Sequence, residues 1–86
     1  MHTIASLKET IVEVLGEAEV HILDPRQDGI HLEALVISKK FEGIPLFKQH
    51  QLVMNGLKKY FDTSLHALGL KTFTPDAWEL EKGQYL

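Results

Sequence analysis

The side chains best suited to bind a metal in this 86-residue chain are five histidines, His2, His21, His31, His50 and His66, and there is no cysteine. Without thiols the chain forms no disulfide and offers no thiolate of its own, so any metal chemistry it contributes runs through imidazole and carboxylate. No H-x-x-H or mixed Cys/His spacing links the five, and each has a bland alternative. His2 lies at the N-terminus. His21 stands in the middle of an alternating segment, where it is expected to face solvent. His50 falls on the apolar stripe of a helix pattern, where a hydrogen-bonded structural imidazole is a commoner outcome than a ligand. His31 opens a strand directly after the loop DPRQDG, residues 24–29, and His66 opens another. If those two strands are parallel neighbours, their N-terminal ends share one edge of the sheet and the two imidazoles could converge.

Other chemistries find less support. Ser6, Ser38 and Ser64 carry no signature of an activated nucleophile, and G-x-S-x-G is absent, so an enzyme is not expected. A formal net charge of −3 argues against a dedicated nucleic-acid binder. Between Lys39 and Lys59, however, five lysines face only Glu42. Such a run is more often a solvated helix face than a phosphate site. The turn FEGIP and the helix after it could imitate a helix-turn-helix, but that helix offers Lys48, Gln51, Asn55, Lys58 and Lys59 and no arginine, a weak set for reading bases. The G-x-x-G loop with which a KH domain clamps nucleic acid is also absent. The longest apolar run, Ala34–Ile37, is too short to cross a bilayer. The N-terminal stretch reads as an amphipathic helix rather than a targeting peptide, and a soluble, cytoplasmic protein is expected.

The elements that would position the histidines follow from periodicity. Thr3 caps a first helix with Ile4, Leu7, Ile11, Val14 and Leu15 on its apolar face, and Gly16 ends it. Ala18–Leu23 alternate as a first strand, and Ile30–Ser38 form a second. In the second strand Leu32, Ala34 and Val36 share one face, while Leu35 and Ile37 suggest partial cover on the other. A helix over residues 45–62 follows, with Leu46, His50, Val53, Leu57 and Phe61 as its buried stripe. Gly56 inside it costs about 1 kcal/mol relative to alanine, which points to another element packed close against it. A third strand begins at His66. Thr74-Pro75 then caps a short helix through Trp78, and residues 81–86 are expected to fray. The order α-β-β-α-β-α, with a helical crossover into the third strand, predicts one α+β domain over residues 1–86. Its mixed three-stranded sheet would carry the helices on one face, in the KH class II-like manner.

The stretches VISKKFEGIPLFKQHQLVMNGL and SLHALGLKTFTPDAW, taken in order, resemble the BolA-like proteins, and the short N-terminus and K-x-H-Q look most similar to the IbaG (YrbA) subgroup. The likeness runs from about Glu19 to Trp78. It implies the KH class II-like fold already read from the pattern, and a non-enzymatic role in iron–sulfur cluster assembly, trafficking or iron homeostasis. The implied partner is a monothiol glutaredoxin, in a heterodimer sharing a [2Fe–2S] cluster whose thiolates come from glutaredoxin and glutathione; no cofactor is expected in the isolated chain. A homodimer, and nucleic-acid binding as a transcriptional regulator, are the alternatives. The family's C-terminal ligand histidine falls on His66. Its second ligand, a Cys or His in the loop before the second strand, matches Asp28 here, so His31 is the preferred substitute and His21 stands behind it. The basic residues that flank the helix histidine in the family are replaced around His50 by Gln49 and Gln51, which weakens the DNA-binding alternative.

Overall fold

The structure is a computed structural model that describes residues 3–29, 31–61 and 67–86. Helix α1 spans Ile4–Leu15, strand β1 Glu19–Leu23, strand β2 His31–Ile37, helix α2 Leu46–Phe61, strand β3 Ala67–Phe73 and helix α3 Pro75–Glu81. Two short 3-10 turns, Lys39–Phe41 and Lys82–Gln84, complete the order. The ends of α1 follow their sequence signals. The Thr3 hydroxyl accepts from the Ser6 amide at 3.0 Å while Ser6 Oγ accepts from the Thr3 amide at 2.9 Å, a reciprocal cap. Gly16 closes the helix at φ 80°, a conformation that favours glycine.

The sheet has the order β1-β2-β3. β1 pairs with β2 antiparallel, from Glu19 opposite Ile37 to Leu23 opposite Glu33. β3 runs parallel to β2, from Ala67 opposite His31 to Phe73 opposite Ile37. A parallel pair cannot be joined by a tight turn, so α2 serves as the crossover. The even-numbered residues Leu32, Ala34 and Val36 of β2 meet Leu7, Ile11 and Leu15 of α1 and Val53 and Leu57 of α2, with Phe41 closing the layer. Each of these side chains except Ala34 contributes about 1.5–3 kcal/mol by leaving water.

The expectation that the helices lie on one face holds for α1 and α2. α3 departs from it: Trp78 packs with Leu35, Ile37 and Phe73 on the opposite face. The physical reason is the odd-numbered apolar pair of β2, which no other helix covers. The tail does not fray as expected. Tyr85 and Leu86 donate backbone hydrogen bonds to the Lys82 carbonyl, and the Tyr85 ring lies 5.7 Å from Phe73 and 6.2 Å from Trp78.

The buried stripe of α2 also differs from its apolar reading. Leu46 is 61 % exposed and His50 only half-buried, whereas Gln49 is buried beside Val53 and Leu57. Hydropathy favours Leu46 over Gln49, but the buried amide has partners on every side. Its Nε2 donates to the carbonyls of Phe41 and Ile44 at 3.3 and 2.8 Å, and its Oε1 accepts from the Thr72 hydroxyl at 2.7 Å. Gln49 thereby ties the turn that precedes α2 to the strand that follows it. Ser38 does comparable work at the end of β2. Its amide donates to the Phe73 carbonyl at 3.1 Å, and its hydroxyl donates to the Glu17 carbonyl at 2.7 Å and accepts from the Lys40 amide at 3.1 Å. Between the two helices, Thr10 and the Tyr60 hydroxyl share a hydrogen bond of 3.1 Å. That bond, with a lesser one from Ser6, holds the Tyr60 pKa below the ordinary phenol value.

Gly56 lies where α1 and α2 touch, as its place inside a helix suggested. A Cβ there would stand 2.5 Å from Val14 Cγ2, and a β-branched side chain in a helix has little rotamer freedom to yield. Gly56→Ala is therefore expected to destabilise the protein by about 0.5–2 kcal/mol, the strain of overpacking outweighing the gain in helix propensity. In a Val14→Ala background the same change should stabilise by up to about 1 kcal/mol. Chemical denaturation of the four proteins checks this, and a stabilising Gly56→Ala in both backgrounds would refute the close approach. By the same method, Gln49→Ala should cost about 1–3 kcal/mol, because it removes the partner of the buried Thr72 hydroxyl and of the Ile44 carbonyl, while the Phe41 carbonyl keeps its bond from the Ile44 amide. Leu57→Ala should cost about 2–4 kcal/mol as a core truncation; unchanged denaturation midpoints would overturn the assigned packing of α2.

Candidate metal-ligand edge

The loop between β1 and β2 is built by two aspartates. Asp24 accepts from the amides of Asp28 and Gly29 through its two carboxylate oxygens, at 3.2 and 2.9 Å, and its carbonyl accepts from the Gln27 amide at 3.1 Å. The tight path requires positive φ at Gln27, 55°, and at Gly29, 70°, which only the second residue adopts without cost. Asp28 then repeats the pattern one step along the chain. Its Oδ1 accepts from the His31 amide at 2.9 Å, and its Oδ2 lies 2.8 Å from His31 Nδ1. His31 keeps 43 % of its side-chain surface exposed and Asp28 33 %, so the imidazole is anchored on one side and open on the other.

Parallel pairing sets the neighbourhood of that imidazole. His31 is the register partner of Ala67, the residue that follows His66 in the sequence. The expected side-by-side parallel arrangement of β2 and β3 is thus present; His66 itself lies outside the described residues. His21 does not face open solvent as expected. Its Nε2 pairs with Glu19, and its ring stacks on Trp78 at 5.6 Å between centroids and 26° between planes. Opposite Leu35, it stands four residues along β2 from His31, about 13 Å at ~3.3 Å per residue. Those two imidazoles cannot meet on one metal ion. His50 sits half-buried in a groove between α2 and β3, lined also by Leu46, Gln49 and Thr72. Among the described residues no three of His, Asp and Glu come together in a metal-holding group. No helix among them is long and apolar enough to cross a membrane.

The pairing of Asp28 with His31 went unrecognised in the sequence. Its signal was present as an aspartate three residues before a histidine at a strand start, within a loop that repeats aspartate at 24 and 28. The lysine run, in contrast, disperses in space. Lys39 and Lys40 belong to the 3-10 turn, and Lys48 lies in the first turn of α2. Lys58 and Lys59 occupy its last turn, where cations complement the helix dipole; Lys48 and Lys58 are separated by about 15 Å of helix at ~1.5 Å per residue.

Comparison with known proteins identifies the family. The chain matches the family described as BolA-like protein over residues 4–77. It is 27 % identical over 77 residues to the acid stress protein IbaG of Escherichia coli (strain K12), with 88 % of each chain covered. It is 28 % identical over 75 residues to the DNA-binding transcriptional regulator BolA of the same organism, covering 87 % of this chain and 70 % of that one. Among solved structures, BolA1 from Arabidopsis thaliana is similar with a TM-score of 0.77 at 32 % identity, covering 88 % of this chain and 96 % of that one. By sequence along most of its length and by the arrangement of three helices on a mixed three-stranded sheet, the chain belongs to the BolA-like protein family.

Proposed function

We propose that this protein is a non-enzymatic adaptor that binds a monothiol glutaredoxin and lends imidazole ligands, His66 and His31, to a [2Fe–2S] cluster. On this reading the cysteine of glutaredoxin and glutathione supply the thiolates, and the heterodimer acts in iron–sulfur cluster assembly, trafficking or iron homeostasis. The observation that supports it most directly is the register of β2 and β3. His31, hydrogen-bonded to Asp28 through Nδ1 and partly exposed, pairs with the residue next to His66 in the chain. Two imidazoles are the donor set that a chain without cysteine can bring to a site shared with thiolates. Imidazole in place of thiolate on one iron raises the cluster's potential, as in Rieske-type centres. On this reading the Asp24–Asp28 loop carries His31 at the start of β2, beside the start of β3.

The name of the regulator BolA, a relative at 28 % identity, keeps nucleic acid as the competing reading. The dispersal of the lysines along α2 speaks against a single phosphate-binding track.

Adding this protein to a cluster-loaded glutaredoxin homodimer, anaerobically and with glutathione present, should change the visible absorption and circular dichroism. His66→Ala is expected to abolish the change and His31→Ala to weaken or reshape it, while His21→Ala should leave it intact. Identical spectra for wild type and His66→Ala would remove the main support for the adaptor reading. The competing reading is checked by titration with duplex DNA across a salt series, because phosphate binding falls steeply as salt rises. Sequence-selective, micromolar binding at near-physiological salt would favour the regulator instead.

A further inference from the structure

Resting on the cluster-adaptor reading for the identity of the metal, we infer that Asp28 is a positioning residue: it holds His31 in the tautomer protonated on Nδ1, so that Nε2 is the atom presented to iron. An ionised carboxylate only accepts hydrogen bonds. The 2.8 Å approach of Asp28 Oδ2 to His31 Nδ1 therefore requires the ring proton to sit on Nδ1, which leaves the Nε2 lone pair bare. Coordination through Nε2 then displaces no proton from the ring. The same carboxylate accepts from the His31 backbone amide at 2.9 Å, so one side chain sets both the path of the main chain at this residue and the orientation of its ring.

Three features separate this role from ordinary loop stability. The pair is partly exposed, where an ion pair or hydrogen bond adds little to folding. Asp28 is itself held from behind, its amide donating to Asp24 Oδ1 at 3.2 Å while the Gly29 amide donates to Asp24 Oδ2 at 2.9 Å. The chain of support therefore runs from Asp24 through Asp28 to Nδ1 of the His31 ring. Carboxylate behind imidazole is also the arrangement that commonly fixes the tautomer of a metal-bound histidine and strengthens it as a donor. The position that matches the family's loop cysteine is thus occupied by the residue that orients the ligand, and the ligating position has moved to His31.

The experiment begins with the protein alone. Long-range proton–nitrogen correlation spectra, recorded through a mildly alkaline pH series, report the tautomer of each histidine ring. His31 should be protonated on Nδ1 by at least about tenfold over Nε2, given a charge-assisted hydrogen bond. A predominantly Nε2-protonated His31 would overturn the inference, and this measurement needs no variant. In Asp28→Asn the side chain can donate as well as accept, so the Nε2-protonated form should rise to a substantial fraction; an unchanged ratio would also overturn it. The second measurement uses the mixed complex with monothiol glutaredoxin and glutathione. Asp28→Asn should weaken complex formation about ten- to a hundredfold and raise the cluster's reduction potential, because the ring loses electron-donating support. A wild-type potential and affinity in Asp28→Asn, alongside a disrupted complex in His31→Ala, would show that Asp28 does not act through His31. The expected tautomer together with cluster spectra indifferent to His31→Ala and His66→Ala would leave the orientation of His31 by Asp28 standing and reject the cluster reading alone.

Discussion

Parallel pairing of β2 with β3 is the constraint from which the rest of the molecule follows. Strands joined in parallel need a crossover long enough to return the chain to the starting end, and α2 with its preceding turn is that crossover. Once it exists, its apolar side has to be covered, and α1 together with the even-numbered residues of β2 provides the cover. Both ends of the crossover are pinned by one amide: Gln49 bonds to the carbonyls before α2 and to Thr72 after it. The same pairing brings the starts of two strands that are more than thirty residues apart in sequence into adjacent register, His31 beside Ala67. The place of His31 beside β3 therefore depends on the register of the sheet, and the orientation of its ring on the loop.

Much of this was legible in the sequence because apolar periodicity and end signals agree with one another. Thr3 and Gly16 bracket α1, Thr74-Pro75 begins α3, and β2 carries its two apolar sets on alternate residues. Gly56 was informative for the same reason, since glycine within a helix is costly unless something lies close. The failures share a different cause. Gln49 is buried because its hydrogen bonds are satisfied, and a hydropathy stripe cannot register satisfaction. α3 chooses its face according to which apolar residues of β2 remain uncovered, which is settled only after the other helices are placed. His21 gains an aromatic neighbour, Trp78, that lies nearly sixty residues away along the chain. At the candidate site, His31 and His66 were candidates from motif and strand position, whereas the contact of Asp28 with the His31 ring depends on loop geometry built by Asp24.

The composition of the site also bears on its charge. Asp24 and Asp28 put two carboxylates beside His31, yet their oxygens are turned toward backbone amides and the imidazole. Their charge is spent on shaping the loop, as is common for aspartate in turns. This differs from a hard-cation loop, in which carboxylates converge on a central point. A borderline metal approached through a neutral imidazole fits the observed orientation of these groups better than a bare calcium or magnesium ion.

β2 forms a wall shared by two separate apolar clusters, with Leu32, Ala34 and Val36 on one side and Leu35 and Ile37 on the other, and it is hydrogen-bonded along both edges. Local openings in proteins are drawn from elements with few buried contacts, whereas a strand enclosed in this way exchanges its amide hydrogens only when the whole domain unfolds. His31 is the first residue of that strand. His31 itself is paired with β3 alone and its amide donates to the Asp28 side chain on the exposed loop, so it sits at the margin of the protected stretch. The ring is thus coupled to the loop on one side and to the start of a parallel strand pair on the other, and opening of the loop alone would release its orientation while the strand behind it stays closed.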